Sequence, residues 1–178
     1  LPKAYLAYRL SGAFRTDFSD ASGMLLLDVK NRRWSSEMCA VCGIREEQLP
    51  ALHESYEVVG TLKGEIAETL GLGPGVQIVA GAGDNAAAAV GTGVVGEGGC
   101  NISLGTSGTL FVSAAQYKED KVNALHSFCH ADGGWHLMGC ILSAASCNAW
   151  WSDKILNTTD YAAEQNGLEA LLGKNDVF

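Results

Sequence analysis

The sequence has little of several features that would each point to a particular class of protein. Only 3 of its 178 residues are proline, and no stretch reaches the roughly 18 consecutive apolar residues of a membrane-spanning helix. No run of five basic residues occurs, and the net charge of −8 argues against binding to nucleic acid or to an anionic membrane. Six cysteines are too few to build a disulfide scaffold, so we expect reduced thiols in a cytoplasmic protein.

The chain does have a globular composition that is rich in glycine. Hydrophobic residues make up 47% and charged residues 18% of the sequence, which suits a folded core. The length suits one domain or parts of two. Its 22 glycines are concentrated between residues 71 and 108. Because Gly71-Leu72-Gly73-Pro74-Gly75 is a cluster of structure breakers, we predict a domain boundary there, with residues 1–75 before it and 76–178 after it.

The spacing of apolar residues predicts an α/β fold with some antiparallel pairing. The predicted helices cover residues 2–10, 36–42, 61–70, 86–90, 143–156 and 161–172. The predicted strands cover residues 76–80, 101–104, 109–112, 125–130 and 135–138. Residues 17–23 are predicted as a turn and residues 55–60 as a loop.

The first candidate site is the stretch Gly81-Ala82-Gly83-Asp84-Asn85. A buried strand precedes it and an alanine-rich helix follows, so Asp84 is expected at the carboxyl edge of a sheet, where open α/β sheets bind ligands. The alternative is that Asp84 or Asn85 simply caps the helix, a common role for both residue types. Ala86 stands where a dinucleotide-binding fingerprint needs its third glycine, which makes that site improbable.

The second candidate site is the turn Gly105-Thr106-Ser107-Gly108 between two predicted strands. Its glycines allow backbone amides to converge on an anion, and the two hydroxyls of Thr106 and Ser107 add donors, which together suit phosphate. The lysine of a P-loop is missing, so a P-loop nucleoside triphosphatase is excluded. The alternative is an ordinary hairpin turn.

Cysteine and histidine spacing predicts no metal site. Cys39 and Cys42 have the spacing of one zinc-binding pair, but no second pair follows at the distance that a four-ligand site requires. His126, His130 and His136 are also candidates, but His126 and His130, four residues apart, have no acidic neighbour that would support zinc. We expect these histidines at the surface or lining a site.

In order and spacing, these segments resemble the FGGY family of carbohydrate kinases, and within it the xylulokinase branch. The ordered set of segments is more specific than any single one. The resembling stretches are residues 2–12, 16–23, 26–29, 33–35, 80–87, 102–108 and 135–139, leading into Trp150 and Trp151.

The resemblance implies the ribonuclease H-like (actin-like ATPase) fold, with sugar and ATP meeting between two domains. Residues 1–75 would end the first domain and residues 76–178 would form the first half of the second. The implied reaction is ATP-dependent phosphorylation of a ketopentose, with D-xylulose giving D-xylulose 5-phosphate. Asp84 matches the family's general base, which takes the proton of the attacking hydroxyl, and Asn85 matches a neighbour that contacts the sugar.

The resemblance also assigns the nucleotide. Gly105, Thr106 and Ser107 match a turn that holds the outer phosphates of ATP, and Ala145 lies in the stretch that borders the adenosine pocket. Mg²⁺ is implied as a cofactor held mainly by phosphate oxygens. The expected partners are the sugar and ATP.

Two motifs of the family are absent from this sequence. These are a first phosphate loop of the form Asp-x-Gly-Thr and a later glycine-rich adenosine motif. We therefore expect an internal piece of a kinase that is inactive alone.

Several alternatives stay open at this stage. One is a kinase for another polyol or sugar, such as glycerol, gluconate or ribulose. Another is an actin-like binding domain without catalysis. Self-association of the chain is also left open by the sequence.

Overall fold

A computed structural model describes residues 1–122, 124–162 and 166, and these form the α/β arrangement that the sequence predicts. The helices are α1 (Pro2–Ser11), α2 (Phe18–Ala21), α3 (Ser36–Val41), α4 (Gly64–Thr69), α5 (Asp84–Gly91) and α6 (Ala145–Trp150). The strands are β1 (Arg15–Asp17), β2 (Leu27–Asp28), β3 (Arg33–Trp34), β4 (Ala51–His53), β5 (Val58–Thr61), β6 (Gln77–Val79), β7 (Cys100–Leu104), β8 (Gly108–Ala114), β9 (His126–Cys129) and β10 (Trp135–Ile141). Within the described part of the chain, no helix is long and apolar enough to cross a bilayer.

Local sequence signals explain where the first helices begin and end. Pro2 opens α1, where its missing N–H costs no hydrogen bond, and Gly12 ends it in the left-handed region at φ 83°. The side chain of Ser35 accepts a hydrogen bond from the Met38 amide and so caps α3. Both helices lie where the apolar spacing and these capping residues predict them.

The strands form three two-stranded sheets and one four-stranded sheet. β1 pairs with β4 in parallel, while β2 pairs with β3 and β5 pairs with β6 in antiparallel fashion. The larger sheet has the order β7-β8-β10-β9. β9 and β10 are antiparallel, with Trp135 opposite Cys129 and Met138 opposite His126. The two strand pairs predicted between residues 101 and 138 are therefore confirmed.

The structure corrects two of the predicted irregular segments. Residues 55–60, which are predicted as a loop, contain the start of β5. This strand pairs with β6, which lies later in the chain. The turn predicted at residues 17–23 is helical, because the carboxylate of Asp17 accepts the Ser19 amide and starts α2. A short 3₁₀ turn, Ser22–Met24, continues it. The polar residues at the start of this stretch therefore cap and begin a helix and do not form a turn.

The C-terminal part of the chain departs from prediction in one helix and is only partly described. The helix predicted over residues 143–156 is α6 followed by a π-helical turn, Trp151–Leu156. The helix predicted over residues 161–172 lies almost entirely outside the described residues.

Two compact units make up the described chain, and each is described by itself. The first consists of residues 1–101 and 110–139, and the second of residues 102–109 with the described residues from 140 onward. The boundary predicted near residue 75 concerns family domains and stays a prediction.

A cluster of apolar side chains forms the core of the first unit. Its buried members are Ala21, Leu26, Leu27, Trp34 and Cys129. The Cys129 amide donates to the Ser22 hydroxyl at 3.0 Å, which ties β9 to the segment that follows α2. This packing places the β9–β10 hairpin beside α2.

The guanidinium of Arg32 reinforces that arrangement. It forms a bidentate ion pair with Glu54 and donates to the Gly133 carbonyl in the turn between β9 and β10. It also lies over the ring of Phe18, 4.4 Å from the centroid, and near that of Trp135. Arg32 therefore joins α2, the loop after β4 and the β9–β10 turn.

Candidate active site

Asp84 is the first residue of α5, directly after a glycine-rich loop that leads from β6. Its side chain is exposed, and its Oδ1 accepts hydrogen bonds from the amide of Asn85 at 2.8 Å and from the Asn85 side chain at 3.1 Å. The N-cap position belongs to Gly83, which has no side chain to cap with. Neither Asp84 nor Asn85 therefore occupies the N-cap position.

The loop from Ala80 to Gly83 is held to the first part of the chain at both of its ends. At one end the Ala80 carbonyl accepts from Lys3 Nζ at 2.8 Å. At the other the Gly83 amide donates to Ser19 Oγ at 2.9 Å. A side chain at Gly83 would place its Cβ 3.4 Å from the Asp20 backbone, so the loop lies close against α2.

A buried carboxylate connects these two hydrogen bonds. Asp17 is fully buried, and its Oδ1 accepts from Lys3 Nζ at 2.6 Å. Its Oδ2 accepts from the Ser19 amide at 2.9 Å, from the Ser19 hydroxyl in a short bond, and from Ser55 Oγ at 2.7 Å. We call Lys3, Asp17, Ser19 and Ser55 the Asp17 cluster. It draws together α1, β1, α2 and the loop after β4.

Asp84 opens onto a cleft of about 210 Å³ that lies entirely within the first unit. The cleft is lined by Ser19, Asp20, Gly23, Gly83, Asp84, Asn85, Ala86, Phe128, His136 and Met138. The lining thus combines carboxylates and an amide, from α2 and α5, with rings and a thioether, from β9 and β10. Such a cleft can bind a small polyhydroxylated molecule, with hydroxyls on the polar groups and carbon atoms against the apolar groups.

Asp20 adds a second carboxylate to the lining of the cleft. Burial raises the pKa of Asp20, and Lys3, 3.7 Å away, opposes that change. The charges of Asp17 and Asp84 also raise this pKa. Asp20 and Asp84 therefore line the same cleft, and the charge of Asp84 acts on Asp20.

His136 forms part of the lining of the cleft, and its surroundings keep it neutral. Burial lowers the pKa of His136 to about 3, and the neighbouring His130 adds to that effect, whereas Asp132 and the Cys129 backbone oppose it. Its ring stacks on Phe111 with centroids 3.9 Å apart. Neither ring nitrogen has a hydrogen-bond partner of good geometry in the described part of the chain.

The prediction for the histidines is only partly right. His126 is exposed, but His130 and His136 are buried, at 1% and 3% exposure, and His136 lines the cleft. Alternation along β10 turns His136 inward, because neighbouring residues of a strand point to opposite faces.

The second candidate site, in the second unit, is held by backbone hydrogen bonds. Gly105, Thr106 and Ser107 form an exposed turn in which the Gly105 amide donates to the Ser107 carbonyl at 2.9 Å. The Ala145 amide donates to the Gly105 carbonyl at 3.0 Å, and Ser146 Oγ donates to the Thr106 carbonyl at 2.8 Å. The structure thus brings together all four residues that the sequence assigns to ATP.

The sequence identified Asp84 and the turn but missed the residues that hold Asp84 in place. Asp17 and Ser19 stand in a Thr-Asp-x-Ser-Asp stretch whose spacing is a capping signal. Nothing in that spacing indicates that Lys3 and Ser55 meet the same carboxylate, since those contacts depend on the tertiary fold.

Comparison with known proteins is informative over most of the chain. Residues 1–91 match the profile of the FGGY family of carbohydrate kinases, N-terminal domain. The xylulose kinase of Klebsiella pneumoniae is 46% identical over 151 residues, which are 84% of this chain and 31% of that protein. The chain thus spans about a third of the length of this curated relative.

Solved structures give the same result for the fold. The crystal structure of a xyloylose kinase from Brucella ovis matches with a TM-score of 0.85 and 46% identity, over 89% of this chain and 33% of that one. A gluconate kinase from Lactobacillus acidophilus matches with a TM-score of 0.80 and 27% identity, over 89% of this chain and 32% of that one. The ribonuclease H-like (actin-like ATPase) fold expected from the sequence is therefore confirmed.

Proposed function

Because the chain belongs to the FGGY family of carbohydrate kinases, we propose that it carries part of the active site of an ATP-dependent ketopentose kinase. The proposed reaction converts D-xylulose to D-xylulose 5-phosphate. The observation that carries this proposal is the cleft in which the exposed carboxylate of Asp84 faces Asp20 and Asn85. The Klebsiella and Brucella relatives, named as xylulose-type kinases, support the choice of sugar.

Asp84 is the proposed general base. The sugar hydroxyl would pass its proton to the Asp84 carboxylate while its oxygen bonds to the γ-phosphorus of ATP, and the bond from that phosphorus to the β–γ bridging oxygen would break to release ADP. A carboxylate is a weak base for an alcohol, so the proton moves late, when the attacking oxygen is already partly bonded. The exposed position at the start of α5 leaves Asp84 accessible for this role.

The rest of the cleft would bind and orient the sugar. Asn85 and Asp20 supply a donor and acceptors for neighbouring hydroxyls, and Phe128 and Met138 offer an apolar face to the carbon chain. Holding the reacting hydroxyl next to Asp84 matters most, because phosphoryl transfer depends on positioning more than on covalent help.

The nucleotide is proposed to bind at Gly105, Thr106, Ser107 and Ala145 of the second unit. The exposed hydroxyls of Thr106 and Ser107 suit phosphate oxygens, and the backbone bonds between this turn and the start of α6 fix its shape. This assignment supports ATP as the phosphoryl donor.

The described side chains fit a magnesium ion that is bound mainly by phosphate. Among the residues that the structure describes, no three His, Cys, Asp or Glu side chains gather into a metal-binding group. Asp20 lies in the cleft, and Mg²⁺ commonly takes one or two carboxylates together with substrate phosphates. When bound, Mg²⁺ would neutralise charge on the transferred phosphate.

Three further assignments belong to the same proposal. Residues 1–75 would form the end of the first kinase domain and residues 76–178 the first half of the second. The reaction would take place in the cytoplasm. Sugar and ATP would be the partners of the site.

A chimera tests the proposed function directly. In it, this chain replaces the matching stretch of the Klebsiella pneumoniae xylulose kinase, and ATP consumption is measured with D-xylulose and Mg²⁺. We expect turnover by the chimera and none by the 178-residue chain alone. Asp84→Asn should lower kcat by about 10²–10⁴-fold while ATP still binds.

One control variant and two possible outcomes complete that experiment. Asp153→Asn changes an exposed acid of the second unit that pairs with Lys154 and should leave kcat unchanged. Retained turnover in Asp84→Asn would remove Asp84 as the base. A chimera that prefers gluconate to D-xylulose would favour the function named for the Lactobacillus acidophilus relative.

A further inference from the structure

The carboxylate of Asp84 depends on the backbone for its position. Its Oδ1 accepts hydrogen bonds from the amide and the side chain of Asn85, the next residue of the same helix turn. The residue before it, Gly83, is the N-cap of α5 and has no side chain that could anchor the helix start. Whatever holds the Gly83 backbone therefore sets where the Asp84 carboxylate lies.

The hydroxyl of Ser19 holds Gly83 from outside the loop. A carboxylate only accepts hydrogen bonds, so the Ser19 O–H must point at Asp17 Oδ2, and a lone pair of Ser19 Oγ is left facing the Gly83 N–H at 2.9 Å. The direction of both hydrogen bonds is thus fixed by Asp17. Because Asp17 is fully buried, water does not compete for these bonds.

Lys3 holds the other end of the same loop. Its ammonium group donates both to Asp17 Oδ1 at 2.6 Å and to the Ala80 carbonyl at 2.8 Å. Ala80 and Gly83 are thereby bound through the two oxygens of one carboxylate. Backbone hydrogen bonds also hold the start of the loop, since the Ala80 amide donates to the Glu57 carbonyl and the Gly81 amide to the Ser55 carbonyl, both at 2.9 Å. A shift of Asp17 would therefore act mainly on the Gly83 end.

We infer that Lys3, Asp17 and Ser19 are positioning residues for Asp84, fixing the loop Ala80–Gly83 so that α5 presents the base to the cleft. This inference rests on the proposed role of Asp84. None of the three needs to touch the reacting atoms, although Ser19 lies in the wall of the cleft. Their effect should fall on kcat, since the geometry of proton transfer changes while the ATP turn lies in the other unit.

The test compares two serines of the same segment. Ser19→Ala removes the hydroxyl oxygen that accepts a hydrogen bond from the Gly83 amide. Ser22→Ala removes another buried hydroxyl, which accepts a hydrogen bond from the Cys129 amide. In the 178-residue chain, we expect the Gly83 amide to exchange with solvent at least about tenfold faster in Ser19→Ala and within about twofold of the unsubstituted rate in Ser22→Ala. Ser19→Thr, which keeps the hydroxyl, should restore slow exchange.

The chimera supplies the kinetic half of the same test. Ser19→Ala should lower kcat by about tenfold with the KM for ATP unchanged, and Ser19→Thr should recover most of that loss. If Ser19→Ala matches Ser22→Ala in both exchange and kcat, the inference is overturned and Ser19 is merely structural. If the unsubstituted chimera fails to turn over, the proposed function fails, but exchange at Gly83 still decides whether Ser19 holds the loop.

Discussion

The two candidate sites of this chain are stabilised in different ways. Around Asp84, side chains from distant parts of the sequence converge on one buried carboxylate, and Lys3 reaches a carbonyl 77 residues away. Around the turn Gly105–Ser107, hydrogen bonds run mostly from backbone to backbone, and the turn residues themselves are exposed. The Asp84 site adds buried side-chain hydrogen bonds to the backbone bonds of Ala80 and Gly81, whereas the turn depends mostly on its main chain.

This difference agrees with the task proposed for each site. A general base must place one carboxylate within hydrogen-bond reach of one hydroxyl, so small displacements of Asp84 are costly. A turn that binds phosphate through amides and hydroxyls depends mainly on its backbone conformation, and many different side chains are compatible with that conformation. Substitutions in the Asp17 cluster should therefore have larger effects than substitutions in the turn.

The largest effect is expected from Asp17→Ala. It leaves the Lys3 ammonium and two serine hydroxyls without their buried acceptor, and breaking such a pair typically costs about 3–5 kcal/mol of the free energy of unfolding. Urea unfolding of the 178-residue chain, followed by circular dichroism, measures this loss. Asp153→Ala, which breaks the exposed pair with Lys154, should cost less than about 1 kcal/mol. Equal losses in both variants would contradict the contrast between the sites.

How far the sequence predicts each site follows from the same contrast. The turn Gly105–Ser107 is a local structure, so its glycines and hydroxyls could be recognised from a stretch of six residues. Asp84 was also visible, since a glycine turn between a strand and a helix is local. The resemblance to the FGGY kinases predicts the fold class from the sequence alone.

The tertiary part of the Asp84 site could not be predicted in the same way. Lys3, Ser19 and Ser55 meet at Asp17 because α1, α2 and the β4–β5 loop pack together, and no sequence spacing encodes that meeting. The sequence predicts a loop at the start of β5, because the pairing of β5 with β6 is not visible in the local sequence. Elements that depend on long-range pairing therefore cannot be predicted from sequence spacing.

A smaller effect on the free energy of unfolding is expected when the pH is lowered, because of His136 in the lining of the cleft. Its pKa is about 3 in the folded protein and about 6.5 in an unfolded chain, so only the unfolded state gains a proton between those values. The neutral His136 ring therefore makes its full contribution to the free energy of unfolding above about pH 6.5. This contribution is lost as the pH falls toward 3. From pH 7 to pH 5 the free energy of unfolding should drop by about 2 kcal/mol from this group.

Variants isolate the contribution of His136 from that of other titrating groups. Urea unfolding at pH 7 and pH 5 should show a smaller loss in His136→Gln than in the unsubstituted chain. His126→Gln, which changes an exposed histidine, should keep the full loss. A loss that is the same in all three proteins would mean that His136 is protonated in the folded state as readily as in the unfolded one.

The smallest effect is expected in the turn, from Thr106→Val in the chimera. The substitution removes the hydroxyl proposed to contact phosphate but keeps the carbonyl that accepts from the Ala144 amide and from Ser146. Loss of one hydrogen bond of about 1 kcal/mol weakens ATP binding by roughly fivefold, which calorimetric titration measures. Thr69→Val, at an exposed helical threonine of the first unit, should leave ATP affinity unchanged. Unchanged ATP affinity in Thr106→Val would mean that the Thr106 hydroxyl does not contact the nucleotide. A loss of ATP affinity as large as that expected for a charged contact would mean that side chains also determine binding at this turn.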